Sequence, residues 1–399
     1  MGLDSLRRGA REELRMEHSE QVRQARKIFD FMDAGTTAMV DEIYRNNVTD
    51  YTCRDQFVKE KQSLFRQHPL NLGLSCRVPA PGDFFTDDFS GVPILVVRGR
   101  DNVLRAFMNV CRHRGAKVAS GCGRGVHGFS CPYHAWSYGL DGGLKAIPFG
   151  QGFGDVDKAE NGLIPLPIVE KYGMVWVTPT PGDTMAVDDY LAGLEVDLAA
   201  YALDGYAHYE TRIIKRRMNW KLVVDTFLES YHLPVLHKNT VAPILRGNLA
   251  TFDPFGSNER LIFVRFSMDE MRQQPERDWD LIKHTAVVNI LFPNTVCIMQ
   301  GDHLEMFHVY PDGDDVNKSR MYVSLYTPEP AETESARGHW DRNFDLLLRT
   351  VEDEDFPVGE DIQRSFSSGA QDRITFGRNE PGLAHFHRSV KQALGLEAA

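Results

Sequence analysis

Val22, Ala25, Ile28, Phe29 and Met32 recur at helical spacing through an otherwise charged stretch, which predicts an amphipathic helix over residues 19–33 that stops at Gly35. From about Val92 the texture changes. Val92 to Arg98 and Val103 to Asn109 are short apolar runs separated by Gly99-Arg100-Asp101-Asn102, a strand, turn and strand pattern. Asp141-Gly142 between Tyr138 and Leu144 signals a hairpin, and Met174 to Val177 reads as a buried strand before a Pro- and Gly-containing stretch at 178–182. A compact β domain is therefore expected over residues 46–180. Beyond Pro181 a helical pattern through Tyr190, Leu191, Leu194 and Leu198 mixes with β-rich segments at 260–267, 285–299, 303–310 and 319–326. Residues 181–399 are thus expected to form an α+β domain on an antiparallel sheet, and the pattern leaves open which domain receives the helix in residues 1–45.

Composition narrows the class. At 399 residues the chain has length for about two domains, and 42% hydrophobic with 25% charged residues is ordinary for a globular protein. The formal charge of −11 repels nucleic-acid phosphates and anionic membrane, so neither is expected as a partner. Met1 to Arg15 has no apolar core of a leader peptide, and no run approaches the roughly 18 apolar residues of a membrane span. A cytoplasmic location is expected. The six cysteines, at 53, 76, 111, 122, 131 and 297, are too few and too scattered for a disulfide-stapled scaffold, which turns attention to metal binding.

One spacing is specific. Cys111-Arg112-His113 is followed, after 17 residues, by Cys131-Pro132-Tyr133-His134, so each of two tight loops offers one thiolate and one imidazole. A [2Fe-2S] centre of Rieske type takes both thiolates on one iron and both imidazoles on the other, and neutral nitrogens raise its potential to roughly −150 to +300 mV. A structural Cys2His2 zinc site is the alternative, but it ordinarily shows Cys-x2-4-Cys and His-x3-5-His pairs instead of mixed ones. Gly115, Gly121, Gly123 and Gly125 suit loops folded over a cluster, and Cys122 falls outside the spacing. Gly123, Gly125 and Gly128 also satisfy GxGxxG, but Phe129-Ser130-Cys131-Pro132 comes next instead of a helix, so no nicotinamide site is expected there.

A second constellation lies in the other domain. Asn219-Trp220-Lys221 opens a predicted helix that carries Asp225, Glu229 and His232 on one face. His237 would point about 140° away on a regular helix. Pro234 disfavours helical geometry at Leu233, and a kink there would bring both imidazoles to one metal. Two histidines and a carboxylate form the facial triad of non-haem iron oxygenases, which leaves positions open for dioxygen and substrate. By chemistry alone any of Glu352, Asp353, Glu354, Asp355, Glu360 and Asp361 can supply that carboxylate.

With these residues in view, FMNVCRHRGA (Phe107 to Ala116), CPYHAWSY (Cys131 to Tyr138) and the stretch Asn219 to His237 resemble the alpha subunit of the Rieske non-haem iron aromatic-ring-hydroxylating oxygenase family. The resemblance implies an all-β Rieske domain over 46–180 and a catalytic domain of helix-grip type over 181–399, an antiparallel sheet surrounded by helices. Residues 1–45 then belong to the catalytic domain or to an interface. It also implies Cys111, His113, Cys131 and His134 as cluster ligands and His232, His237 and Asp355, the second residue of a Glu-Asp pair before Gln363, as ligands of a mononuclear Fe(II). Glu229 matches a carboxylate that links an iron histidine to a cluster histidine, here His134, of a neighbouring subunit. A homotrimer is implied by that link, because within one chain the family's two metals lie too far apart for rapid transfer; a beta subunit is optional. Partners implied are a small organic substrate, O2 and an NAD(P)H reductase with or without a ferredoxin. Glu229 in place of the Asp of many ring dioxygenases points to the branch that oxidises quaternary ammonium compounds or removes N- or O-methyl groups, and Thr226 replaces a common Asn. Aromatic acids and aryl ethers stay open as substrates. The competing function is a Rieske electron-transfer protein without oxygenase activity.

Overall fold

The first amphipathic run folds as helix α1 (His18–Ala34), which ends where Gly35 takes a left-handed φ of 61° and its N–H returns to Met32. The computed structural model describes residues 16–182 and 185–396, so Met1 to Arg15 of the N-terminal segment lie outside the described residues. The chain divides into two compact units, Lys61–Val187 and a second made of Met1–Glu60 with Asp188–Ala399. The β unit begins later than residue 46. Tyr44–Asn47 pairs antiparallel with Arg373–Phe376, which ties that segment to the other unit.

The β unit holds a five-stranded sheet in the order Pro165–Leu166, Leu104–Met108, Ile94–Arg98, Phe84–Asp87 and Cys122–Gly123. Two three-stranded sheets accompany it: Phe129–Ser130, Ser137–Tyr138 and Leu144–Ala146 in one, Ile168–Lys171, Met174–Val177 and Leu70–Leu74 in the other. The predicted hairpin at 99–102 and the Asp141-Gly142 turn are both present. Leu95, Val97, Phe107, Phe129, Trp136 and Tyr138 close around buried Cys111 and Cys131, so the two thiols are part of this unit's core.

The second unit is built on seven antiparallel strands: β1 (Ala207–Arg216), β2 (Leu245–Phe255), β3 (Asn258–Arg265), β4 (Thr285–Leu291), β5 (Thr295–Met299), β6 (Leu304–Pro311) and β7 (Ser319–Thr327). Their order is β1-β7-β6-β5-β4-β3-β2, a meander from β2 to β7 with β1 added at the edge. Every residue of β4, β5 and β6 is buried, so the middle of the sheet is covered on both faces. The β-rich segment 285–299 forms two strands, divided at Phe292-Pro293-Asn294. The helical pattern near 190–198 is likewise broken, because Ala192 and Gly193 adopt positive φ between Val187–Leu191 and Glu195–Ala200.

Five further helices matter for the site: α2 (Trp220–Asp225), α3 (Leu233–Leu236), α4 (Glu334–Arg349), α5 (Phe356–Ser365) and α6 (Pro381–Ala393). A π-helical turn, Thr350–Asp355, joins α4 to α5. Helix α2 is anchored by its own first residues. The Asn219 side chain caps it by accepting from Lys221 N, the Trp220 indole donates to Glu60 at 2.8 Å, and Lys221 Nζ meets the same buried carboxylate at 2.5 Å. Gln363 of α5 accepts from Asn219 N at 2.9 Å, which docks α5 beside the start of α2.

Helix α1 packs on the sheet of its own unit through a buried ionic cluster. Arg260 of β3, only 1% exposed at its side chain, contacts Asp197, Glu20 of α1 at 2.5 Å and Asp253 of β2 at 3.0 Å. Burial works against the charge of Glu20, but hydrogen bonds from Arg23, Gln24 and Arg260 outweigh it and hold the carboxyl at about 2. Its contribution to stability is therefore present above the ordinary carboxyl range and is lost as the pH falls towards 2. Replacing Arg260 by Met removes the buried cation that Asp197, Glu20 and Asp253 share, leaving Glu20 and Asp253 only their more exposed partners Arg23 and Lys27. Urea unfolding of this variant should show a loss of about 3–5 kcal/mol, and an unchanged midpoint would mean that the cluster does not hold α1.

Candidate metal centres and the cavity beside them

The two loops of the β unit are near copies of each other. Cys111 N donates to Ala116 O and Gly115 N to Cys111 O; Cys131 N donates to Trp136 O and Ala135 N to Cys131 O, all at 2.8–2.9 Å. The residue four places after each cysteine is left-handed in both, Gly115 at φ 80° and Ala135 at 57°. A glycine meets that requirement without strain, and an alanine meets it at some cost. This turn places each histidine beside its neighbour's. The His113 and His134 rings lie 4.6 Å apart, and Trp136 stacks on His113 at 5.1 Å with an interplanar angle of 8°.

The cysteines are buried and free, whereas His113 is half-buried and His134 exposed. Tyr138 Oη accepts from Arg112 N at 2.9 Å and lies 3.3 Å from Cys111 Sγ, so its own hydrogen is available to the sulfur. Burial, then this sulfur contact, pushes the phenol well above its ordinary pKa and keeps it a donor. His113 Nδ1 is buried with no hydrogen-bond partner. Two buried thiols free of disulfides and two adjacent imidazoles, one with an orphaned buried nitrogen, are the donor types of a Rieske cluster, and the four residues fit one. Cys122 is exposed.

In the other unit the segment after α2 departs from the predicted continuous helix. Helix α2 stops at Asp225, residues 226–232 turn, and α3 is a single helical turn with Pro234 in its first positions. His232 and His237 stand at its two ends, so Pro234 starts a helix instead of kinking one. Gly247 of β2 lies against Pro234, where a Cβ would come within 2.0 Å of the proline Cγ. Asp225 does not face the histidines. It accepts from Tyr51 Oη at 2.6 Å and meets His387 Nε2 at 2.9 Å, a buried anchor for the end of α2.

His232 Nε2 and His237 Nε2 are 3.1 Å apart, and Asp355 Oδ1 lies 3.6 Å from the first and 3.1 Å from the second. Among the described residues these three form the one group of at least three such side chains whose ligand atoms fall within 4.8 Å of each other. The opposite nitrogens explain the orientation. His232 Nδ1 bonds to Glu229, and His237 Nδ1 bonds to Glu354 Oε2 at 2.7 Å. Two carboxylates thereby fix a proton on each Nδ1 and leave both Nε2 lone pairs aimed at one point beside a third carboxylate. Such a convergence of acceptors is satisfied by a divalent cation, and its donors suit non-haem iron. Burial opposes charge on His237, yet Asp355 and Glu354 outweigh it and raise its pKa.

Of the six acidic candidates, the π-turn selects two and gives them different tasks. Glu354 reaches the far side of His237 and also accepts from Thr240 Oγ1 at 2.5 Å, and Asp355 reaches the shared point. Glu352 pairs with Arg216 and Glu360 accepts from Arg217 N, both away from the histidines. A cavity of about 200 Å3 opens beside the triad, walled by Phe227, Val288, Ile298, Leu346 and Leu347 among others, with Arg265, Gln300, His303 and Glu305 at its polar end.

Residues 68–159 match the family model of the Rieske [2Fe-2S] domain, and residues 203–396 match that of the ring hydroxylating alpha subunit (catalytic domain). The chain is 35% identical over 198 residues to the glycine betaine monooxygenase oxygenase subunit of Chromohalobacter salexigens, covering 49% of this chain and 43% of the relative. It is 35% identical over 192 residues to the carnitine monooxygenase oxygenase subunit of Escherichia coli K12, covering 47% and 50%. The chain thus spans about half the length of these curated relatives. The chloroplastic choline monooxygenase of Beta vulgaris is 27% identical over 357 residues, covering 87% of this chain and 76% of that one. A crystal structure of a quaternary ammonium Rieske monooxygenase with L-carnitine superposes with a TM-score of 0.75 at 22% identity, covering 88% of this chain and 96% of that chain. Naphthalene 1,2-dioxygenase from Rhodococcus sp. with indole gives 0.71 at 17%, covering 95% and 99%, and both likenesses are of fold.

The fold and the two matched domains define a two-domain Rieske iron protein with a ring-hydroxylase catalytic domain. The chain belongs to the Rieske non-haem iron oxygenase family, whose two domains carry a [2Fe-2S] cluster and a mononuclear iron.

Glu354 has no distinguishing signal in the sequence, since it is one of a run of acids. Its geometry makes it a positioning residue for His237. Glu354→Ala should lower affinity for the second iron by about 10–100-fold in a chelator competition while cluster absorption is unchanged, with Glu354→Gln restoring part of it. Equal iron retention in all three proteins would show that His237 needs no such support.

Proposed function

We propose that the chain is the terminal oxygenase of a multicomponent Rieske system, with Cys111, His113, Cys131 and His134 holding the cluster and His232, His237 and Asp355 holding the catalytic Fe(II). The observation that carries this reading is the convergence of two imidazole Nε2 atoms, 3.1 Å apart, with the Asp355 carboxylate at the edge of a cavity. A bound ferrous ion supplies dioxygen activation at positions that three protein ligands leave open. The protein's own contributions are orientation and exclusion of water. Glu229 and Glu354 keep the two rings in one tautomer, and the apolar wall of Phe227, Val288, Ile298 and Leu347 favours a substrate body over solvent.

Insertion of one oxygen atom into a C–H bond releases the other as water and needs two electrons and two protons. A separate NAD(P)H reductase, directly or through a ferredoxin, is the source of the electrons. Glu229, whose carboxylate already holds His232 Nδ1, is the group through which a neighbouring subunit's cluster histidine would communicate, which calls for a homotrimer. Substrate oxidation is at an N- or O-methyl group, giving demethylation or hydroxylation. Support comes from the relatives named for glycine betaine, carnitine and choline, all trimethylammonium compounds, and from a cavity below the ~300–1,000 Å3 of common ligand pockets. Among the described residues no helix is long and apolar enough to cross a membrane.

The deciding experiment is an anaerobic iron count on His232→Ala. The expected result is loss of about one iron per chain with cluster absorption intact and oxygen-coupled turnover abolished. Full iron retention with the reductase still able to reduce the protein would instead describe an electron carrier.

A further inference from the structure

Four adjacent strands present alternate residues to the cavity. Phe263 and Arg265 come from β3, Ala286 and Val288 from β4, Ile298 from β5 with Gln300 just beyond it, and Glu305 from β6. The register makes these one face: Phe263 pairs with Ala286, Val288 with Ile298, and Ile298 with Glu305. Polar groups gather where these strands end, and apolar ones fill the middle. Arg265 Nη2 donates to Gln300 Oε1 at 2.6 Å, and Gln300 Nε2 donates to Glu305 Oε2 at 3.2 Å. The second oxygen of Glu305 meets His303 Nε2 at 3.3 Å.

Among the described residues the Arg265 guanidinium touches the Gln300 amide and no carboxylate directly. Burial works against a charge on His303, but hydrogen bonds to Asp302 and Glu305 outweigh it and hold the imidazole at about 9, so it is a cation at neutral pH. Both oxygens of Glu305 are committed, one to Gln300 and one to His303. Arg265 has a neutral amide as its hydrogen-bond partner and its Nε is buried with none, and burial lowers its pKa although the charges of Glu305 and Asp302 work the other way. A partly buried guanidinium with no anion in contact has donors to spare for one that arrives. Of the other acids on the cavity, Asp355 faces the two histidines, and Glu229 is occupied by His232 Nδ1 and by the backbone N–H groups of Tyr231 and His232. The aromatic lining is Phe227 and Phe263, which is no cage for an ammonium group.

We propose that Arg265, supported by Gln300, is a carboxylate-binding subsite, so that the substrate is a small organic acid held by its anionic end at the strand termini while its apolar or methylated end lies towards His232, His237 and Asp355. This rests on the oxygenase reading for its use and deepens it by naming the feature selected. It separates the relatives' namesakes, because glycine betaine and carnitine carry a carboxylate and choline does not. Arg265 presents fork-shaped donors that match a carboxylate, which Lys reproduces as a charge but not as a fork.

The test uses full-length protein loaded with both metals and two matched pairs of probes: glycine betaine with choline, and 4-methoxybenzoate with 4-methoxybenzyl alcohol. Calorimetric titration should show at least one acid binding about 10-fold or more tightly than its alcohol, with Arg265→Gln erasing that preference and Arg265→Lys keeping part of it. For an acid that is turned over, the loss should fall on KM, with kcat at saturation changed less than about 3-fold. Neither acid outbinding its alcohol, or Arg265→Gln binding the acid like the native protein, overturns the subsite. The native protein's own preference decides the matter even if a variant folds poorly. Iron counting on His232→Ala tests the oxygenase reading separately, so the two can fail independently.

Discussion

Glu229 and Glu354 each accept a hydrogen bond from the Nδ1–H of one histidine, and the rest of the catalytic unit is arranged so that the opposite nitrogens then meet. An imidazole has two nitrogens of interchangeable role, and only an outside acceptor decides which one keeps the proton. Here the decision is made twice, from two different parts of the chain, and Asp355, next to Glu354, completes the set. The cost is a cluster of carboxylates and lone pairs in a mostly buried place, which is tolerable because a cation belongs among them.

The large-scale structure supplies the required positions. Asn219, Trp220 and Lys221 fasten the start of α2, Asp225 fastens its end through Tyr51 and His387, and the turn at residues 226–232 delivers His232. Gln363 holds α5 to the same anchor, so the π-turn before α5 is fixed relative to the histidines it serves. An added residue in a helical turn rotates the side chains beyond it, and this is how consecutive acids, Glu354 and Asp355, reach opposite sides of His237. In the β unit the same economy appears in another form. Two loops with one hydrogen-bond pattern and one left-handed position each deliver a thiolate inward and an imidazole outward.

How far the sequence discloses this depends on how local each feature is. The cluster loops are legible because Cys111 with His113 and Cys131 with His134 are neighbours in the chain, and short spacing is what a tight turn needs. His232 and His237 are legible as a pair for the same reason, with Pro234 as a marker of irregular backbone. The end of α2 at Asp225 is not, since Thr226-Phe227-Leu228 contains no breaker and the helix stops because tertiary partners hold it there. Edge strand β1 escapes the hydrophobic pattern because its outward face is charged, and Arg265, Gln300 and His303 become a group only when the termini of three strands are laid side by side. Among the acids from Glu352 to Asp361, chemistry alone gives no preference; the π-turn does.

The most direct measurement of the central claim is the iron-edge anomalous density of crystals of the Fe(II)-loaded protein. A single peak in the catalytic unit, within ligand distance of His232 Nε2, His237 Nε2 and an Asp355 oxygen, with Glu229 and Glu354 on the far nitrogens, is the predicted result. A peak bound to either Nδ1 or to Glu354, or no peak beside these residues in iron-replete active protein, would contradict it.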